Sequence, residues 1–127
     1  EKYIKMDGRK IYEYALKNVP HLIQQTLDKS GTDIRDVKKV LVHQANGKMD
    51  EAILKRLFKL NGITDAPMDV MPMTIAHFGN SSVATVPTLL DLILKNKLNG
   101  HQINKGDIVV FTSVGAGMNI NSMVYKF

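Results

Sequence analysis

Two short blocks of this chain hold side chains that could do chemistry. His43-Gln44-Ala45-Asn46 follows a short apolar run, and Phe78-Gly79-Asn80-Ser81-Ser82 opens a stretch with helical periodicity. In open α/β sheets, ligands bind outside the carboxyl ends of strands, where helix amino termini also point unbonded N–H groups. If both blocks lie at the same sheet edge, a histidine and an asparagine converge on one pocket. Plainer roles exist for each. A histidine at a strand end is commonly a satisfied polar group, Asn46 and Asn80 are good helix caps, and Gly79 and the Gly115/Gly117 pair can serve only to turn the backbone. On residue types alone these alternatives stay open. Other chemistries drop out: with no cysteine, the chain holds no disulfide, thiolate metal site or cysteine nucleophile. His43, His77 and His101 are far apart in sequence without a paired carboxylate pattern, so no metal site is expected.

The elements that must position these blocks follow from periodicity. Ile11, Ala15, Val19, Leu22, Ile23 and Leu27 recur at helical spacing, predicting a helix that ends near Ser30-Gly31 and is kinked or restarted at Pro20. Val37 to Val42 reads as a buried parallel strand with His43 at its carboxyl end. Asn46 can cap a second helix that carries Asp50 and Glu51 in its first turn and Met49, Ala52, Ile53, Leu57 and Leu60 along one face, closed by Gly62. Between Asn61 and Met73, Pro67 and Pro72 leave a weak strand signal around Val70. A third helix is expected from Asn80 or Ser81 through Leu89, Leu90 and Ile93 to about Leu98, with Pro87 near its first turn. Asp107 to Ser113 and Met118 to Phe127 read as strands joined by a turn at Gly115-Ala116-Gly117. Helices alternating with strands, then a hairpin, give a layered α/β unit.

At 127 residues and 44% hydrophobic, the sequence is one domain's worth, 1–127. It has no run of 18 apolar residues and no apolar segment behind Glu1, Lys2 and Tyr3, so a cytoplasmic protein without a membrane span is expected. The net charge of +5 comes from 17 basic residues interleaved with 12 acidic ones. Without an arginine-rich arm or aromatic platform motif, that balance points away from nucleic acid. It suits an acidic protein partner or a phosphorylated ligand.

His43-Gln44-Ala45-Asn46-Gly47-Lys48-Met49, followed by Gly79-Asn80-Ser81-Ser82-Val83-Ala84 and the terminal Gly115-Ala116-Gly117 hairpin, resembles the ketoacyl-acyl-carrier-protein synthase III family in content and order. Met6-Asp7-Gly8-Arg9 is similar to that family's entry to its carboxy-terminal half, so the resemblance spans essentially the whole chain. It implies the thiolase-like fold, an α/β architecture of two duplicated halves in five αβαβα layers, of which this chain is the carboxy-terminal half. It also implies a decarboxylative condensation of an acyl-CoA primer with malonyl-acyl-carrier-protein, through an acylated cysteine in the other half.

In that family setting, His43 and Asn80 are the catalytic pair. A neutral imidazole N–H and an amide N–H can both donate to the oxygen on which negative charge develops as a malonyl thioester loses carbon dioxide. By the same resemblance, Gln44, Ala45, Asn46 and Gly47 would touch the phosphopantetheine arm, and Tyr12 matches an aromatic near the pantetheine tunnel. Lys48 falls where the family carries a basic residue facing the acyl carrier protein; lysine keeps the charge of the commoner arginine but lacks its planar fork. No cofactor is implied, acyl-CoA and phosphopantetheine-linked malonyl being substrates. The implied partners are the acyl carrier protein, the amino-terminal half of the same enzyme and, at full length, a second copy in a homodimer.

One departure bears on specificity. The stretch between His43 and Asn80 is longer than in the family's bacterial members, with the extra residues around Gly62 to Asp69, so the acyl primer is less defined than the reaction type. Glu1 is not an initiator methionine and the cysteine is missing, which makes an excised domain, inactive alone, the expectation. The competing readings are a non-catalytic module that holds acyl carrier or coenzyme A, and a related thiolase-fold synthase with a different acyl starter.

Overall fold

The computed structural model describes residues 7–43, 47–72, 85–98, 100–115 and 119–127. Among these, helix α1 (Gly8–Ser30) leads through a short 3-10 turn at Ile34–Asp36 into strand β1 (Val37–Val42). Helix α2 (Gly47–Leu60), helix α3 (Thr85–Leu94) and the strands β2 (Ile108–Gly115) and β3 (Asn119–Lys126) follow. The sheet order is β1-β2-β3, with β1 parallel to β2 and β2 antiparallel to β3.

Asp7 caps α1 by accepting from the Lys10 N–H, and the helix ends where Gly31 turns left-handed at φ 68°. The expected restart at Pro20 does not occur, for α1 is a single helix through it. Proline forfeits only its own hydrogen bond to the Leu16 carbonyl, and burial of Ala15, Val19, Pro20, Ile23 and Leu27 keeps both halves packed as one element.

β1 pairs with β2 from Val37↔Ile108 and Lys39↔Val109 onward, so one extra residue bulges between Val37 and Lys39. The bulge puts Val37, Val40 and Val42 on one sheet face, packed with α1, α2, Val110 and Ile120. Leu41 and Val109 face the other way, against Leu89 and Ile93 of α3. The chain is thus three layers, with α1 and α2 on one face and α3 on the other.

Three further expectations are corrected. The buried stripe of α2 is Asp50, Ile53, Leu54, Leu57 and Phe58, whereas Leu60 is exposed. No strand forms at Val70; Met68–Val70 is a single 3-10 turn between two prolines, too short to pair. α3 stops at Leu94 rather than Leu98, because Asn96 takes a left-handed φ of 55° and the N–H of Lys97 closes back on the Leu92 carbonyl. Asn46, the expected start of α3 before Thr85, and Ala116 to Met118 lie outside the described residues.

Candidate active site

His43 is the residue at which β1 gives out, and its main chain is pinned to the sheet. Its N–H donates to the Thr112 carbonyl of β2 at 3.1 Å. Thr112 is itself buried, and its Oγ1 lies 3.2 Å from Ser122 Oγ across the β2–β3 pair. Two hydrogen-bonded strands therefore fix the backbone from which the half-buried imidazole projects. Gly47 and Lys48 open α2 just beyond, with the Lys48 side chain exposed.

The two helices of that layer run the same way. α1 leads into the amino end of β1 and α2 leaves after its carboxyl end, and just past the end of α2 Asn61 Nδ2 donates to Gln24 Oε1, near the end of α1, at 2.7 Å. Residue numbers thus rise together along α1 and α2. This alignment brings Tyr12, partly exposed near the start of α1, to the same end of the molecule as the start of α2.

α3 arrives at that end from the other face. The chain beyond its carboxyl end carries His101 to Lys39, where His101 Nδ1 accepts from Nζ at 2.9 Å. Lys39 is near the start of β1, about 13 Å along the strand from His43 at an ordinary strand rise. Since its exit lies at the amino end of the strands, α3 begins at the carboxyl end, the edge that holds His43. His43, Gly47, Lys48 and Tyr12 are therefore gathered at one edge. Gln44, Ala45, Asn46 and Asn80 lie outside the described residues.

Two buried polar groups at this edge escaped the reading of the sequence. Asp50, in the first turn of α2, is fully enclosed, and neither carboxyl oxygen has a hydrogen-bond partner among the described residues. Burial pushes its pKa up to about 7. Thr85, the first described residue of α3, has a buried Oγ1 that likewise finds no partner among the described residues. The signal for Asp50 was its spacing, since it is in phase with Ile53, Leu54 and Leu57. At the far end of the sheet, Lys39 is buried and also donates to the Asp69 carbonyl at 2.7 Å. Burial lowers the pKa of Lys39 and, together with the Lys39 charge, that of His101.

A mixed three-stranded sheet with helices on both faces makes this an α/β unit of the thiolase-like fold. Solved 3-oxoacyl-(acyl carrier protein) synthase III structures superpose on it. That from Pseudomonas aeruginosa does so with a TM-score of 0.81 and 25% identity, over 99% of this chain and 36% of the other. That from Aquifex aeolicus gives a TM-score of 0.81 and 26% identity, over 98% and 37%. Residues 27–127 match the family described as 3-Oxoacyl-[acyl-carrier-protein (ACP)] synthase III C terminal, and the chain belongs to that family. The beta-ketoacyl-[acyl-carrier-protein] synthase III 2 of Lactiplantibacillus plantarum is 34% identical over 122 residues, 96% of this chain and 34% of that protein. The chain spans about a third of the length of these relatives.

Proposed function

We propose that this chain is the carboxy-terminal part of an enzyme that condenses an acyl-CoA primer with malonyl-acyl-carrier-protein, and that His43 and Asn80 serve the decarboxylation. In that step the bond between the malonyl α-carbon and its carboxylate breaks and carbon dioxide leaves. The electron pair moves into a thioester enolate, whose oxygen takes hydrogen bonds from the His43 ring and the Asn80 amide. The α-carbon then attacks the acyl group on a cysteine supplied by the remainder of the protein, and the thiolate leaves. Donors fixed before the charge appears lower such a barrier most, because nothing must reorganise as it forms.

The observation that carries this reading is the single edge at which β1 ends in a backbone-anchored His43 and at which both α2 and α3 begin. Gln44, Ala45, Asn46 and Gly47 would line the phosphopantetheine arm, with Tyr12 beside it. Lys48 and the basic groove of Lys17, His21, Arg56 and Lys59 lie in the same helical layer, a charge pattern suited to an acidic carrier protein. Between them the substrates and that cysteine would carry the reacting groups, so this reading calls for no cofactor.

A second reading is a module that binds carrier or coenzyme A without catalysis. Supplying acyl-CoA and malonyl-carrier to the isolated chain and to the complete protein separates them. The condensing reading expects a ketoacyl product from the complete protein alone. A complete protein that binds both substrates but forms no product would support the module.

A further inference from the structure

The amino end of the sheet, opposite the candidate site, holds a cluster that the condensing reading leaves unused. Lys39 of β1 is 3% exposed, and its Nζ donates to the Asp69 carbonyl at 2.7 Å and to His101 Nδ1 at 2.9 Å. These partners come from two different connections, the 3-10 turn at Met68–Val70 and the chain between α3 and β2. The turn is seated by Val70 and Met71, which belong to the core beneath α1 and α2. The second connection is held more lightly. From residue 100 to 106, Gly100, Gln102, Asn104, Lys105 and Gly106 are exposed, so only His101 and Ile103 turn inward. Ile103 packs with the α3 cluster, while Gly100 and Gly106 bracket the pair at left-handed φ values of 78° and 92°, where glycine moves most freely. His101 is therefore one of two anchors, and the one that depends on a proton.

We propose that Lys39 and His101 form a pH-sensitive latch: the neutral ring clips the connection after α3 onto β1, and protonation of the ring releases that connection while the sheet stays intact. An ammonium has protons to give and no lone pair, so the imidazole beside it must accept, and its own proton sits on Nε2. A proton added to Nδ1 removes the acceptor and sets two cations side by side in an enclosed place. Burial and the Lys39 charge oppose that proton, and Asp69, on the exposed turn, favours it. Lys38 is exposed and adds positive charge beside Lys39. Asp91 of α3 is engaged by Lys95, and Asp107 by the Asn104 N–H, so neither answers a charge on the ring. Release stays local because Leu98 keeps the end of α3 seated, and Val109 and Val110 of β2 are fully buried and paired with strands on both sides. The latch does not depend on which reaction the protein performs.

The test uses the complete protein as wild type, His101→Asn and Lys39→Met, at about pH 7.5 and about pH 5, on either side of the ordinary histidine range. Hydrogen exchange, corrected for the intrinsic rate, follows residues 100 to 106. In wild type their protection should fall on the order of tenfold per pH unit once the ring titrates, while Val109 and Val110 keep theirs. Asparagine offers a carbonyl oxygen that accepts at either pH, so His101→Asn should keep the connection protected throughout. Lys39→Met has no donor and should leave it open at both. Nitrogen NMR of the histidine rings, with His101 assigned by its loss in His101→Asn, should show the Nε2–H tautomer in wild type at the higher pH. That reading decides even where Lys39→Met does not fold. Wild-type protection that is equal at both pH values, the same fall in His101→Asn, or an equal fall at Val109 and Val110 would overturn the latch. So would a proton on Nδ1 at the higher pH, or a folded Lys39→Met as protected as wild type.

Discussion

Lys39 is a charge that the fold encloses, and it is kept by giving its protons to two specific acceptors, the Asp69 carbonyl and His101 Nδ1. His101 must be neutral to accept, and burial with the Lys39 charge holds it below its ordinary basicity. As pH falls from about 6.5, the unfolded chain therefore takes up a proton before the folded one, and stability drops through that window. Lys39→Met removes part of the cause and should flatten the slope, read from denaturant midpoints between pH 7.5 and 5. Asp50 gives a slope of the opposite sign. Its folded pKa is raised from 3.8 to about 7, so the stability it contributes is full below the unfolded value and lost as pH rises through the folded one. By pH 8 the loss is of order 4 kcal/mol, at ~1.4 kcal/mol per pH unit of displacement. Asp50→Asn should abolish it, seen as a variant that gains on wild type between pH 5 and pH 8. His43 was legible in the sequence because a strand end announces itself. Asp50 was not, because an acid in a first turn has a ready explanation at the helix surface, and only its phase with Ile53, Leu54 and Leu57 says that it points inward.

Elements were legible where local chemistry and burial agree. Val37 to Val42 is apolar enough to be a buried strand in any register, and its bounds match β1. Gly31 ends α1 because the left-handed turn there favours a residue without a side chain. Nothing lies within 4 Å of where its Cβ would stand, so the cost of a side chain is conformational alone. Gly31→Ala is expected to lower stability by about 1 kcal/mol, measured by thermal unfolding, without altering the pH slopes above. The failures have physical causes too. Pro20 suggested a restart that packing overrides, Val70 sits between prolines that leave no room for a ladder, and Asn96 stops α3 in a conformation for which the sequence offers no glycine.

On the scale of the whole molecule, one face is unfinished. Phe111↔Met123 and Val109↔Tyr125 are opposite pairs, so Met123 and Tyr125 share the sheet face that α3 covers over β1 and β2. Both are more than half exposed, and so is Leu94 of α3. The relatives are about three times as long as this chain, and under the proposed condensing reading their additional length is the kind of segment expected to cover such a face. Mild peroxide should oxidise Met123 faster than the buried Met71 in the isolated chain, and the complete protein should protect both, as mass spectrometry would register. The five-layer expectation rested on the resemblance of the motif blocks alone, because a chain that spans about a third of its relatives' length does not itself contain those layers.

The central claim is that His43 stabilises a developing enolate rather than filling a strand end. The direct measurement is single-turnover decarboxylation of malonyl-carrier by the complete protein carrying His43→Ala, normalised to folded molecules, beside acylation of its cysteine by the primer. Loss of one fixed oxyanion donor predicts decarboxylation slowed by roughly a hundredfold or more, with acylation at least partly preserved. Decarboxylation at the wild-type rate in that variant would contradict the account.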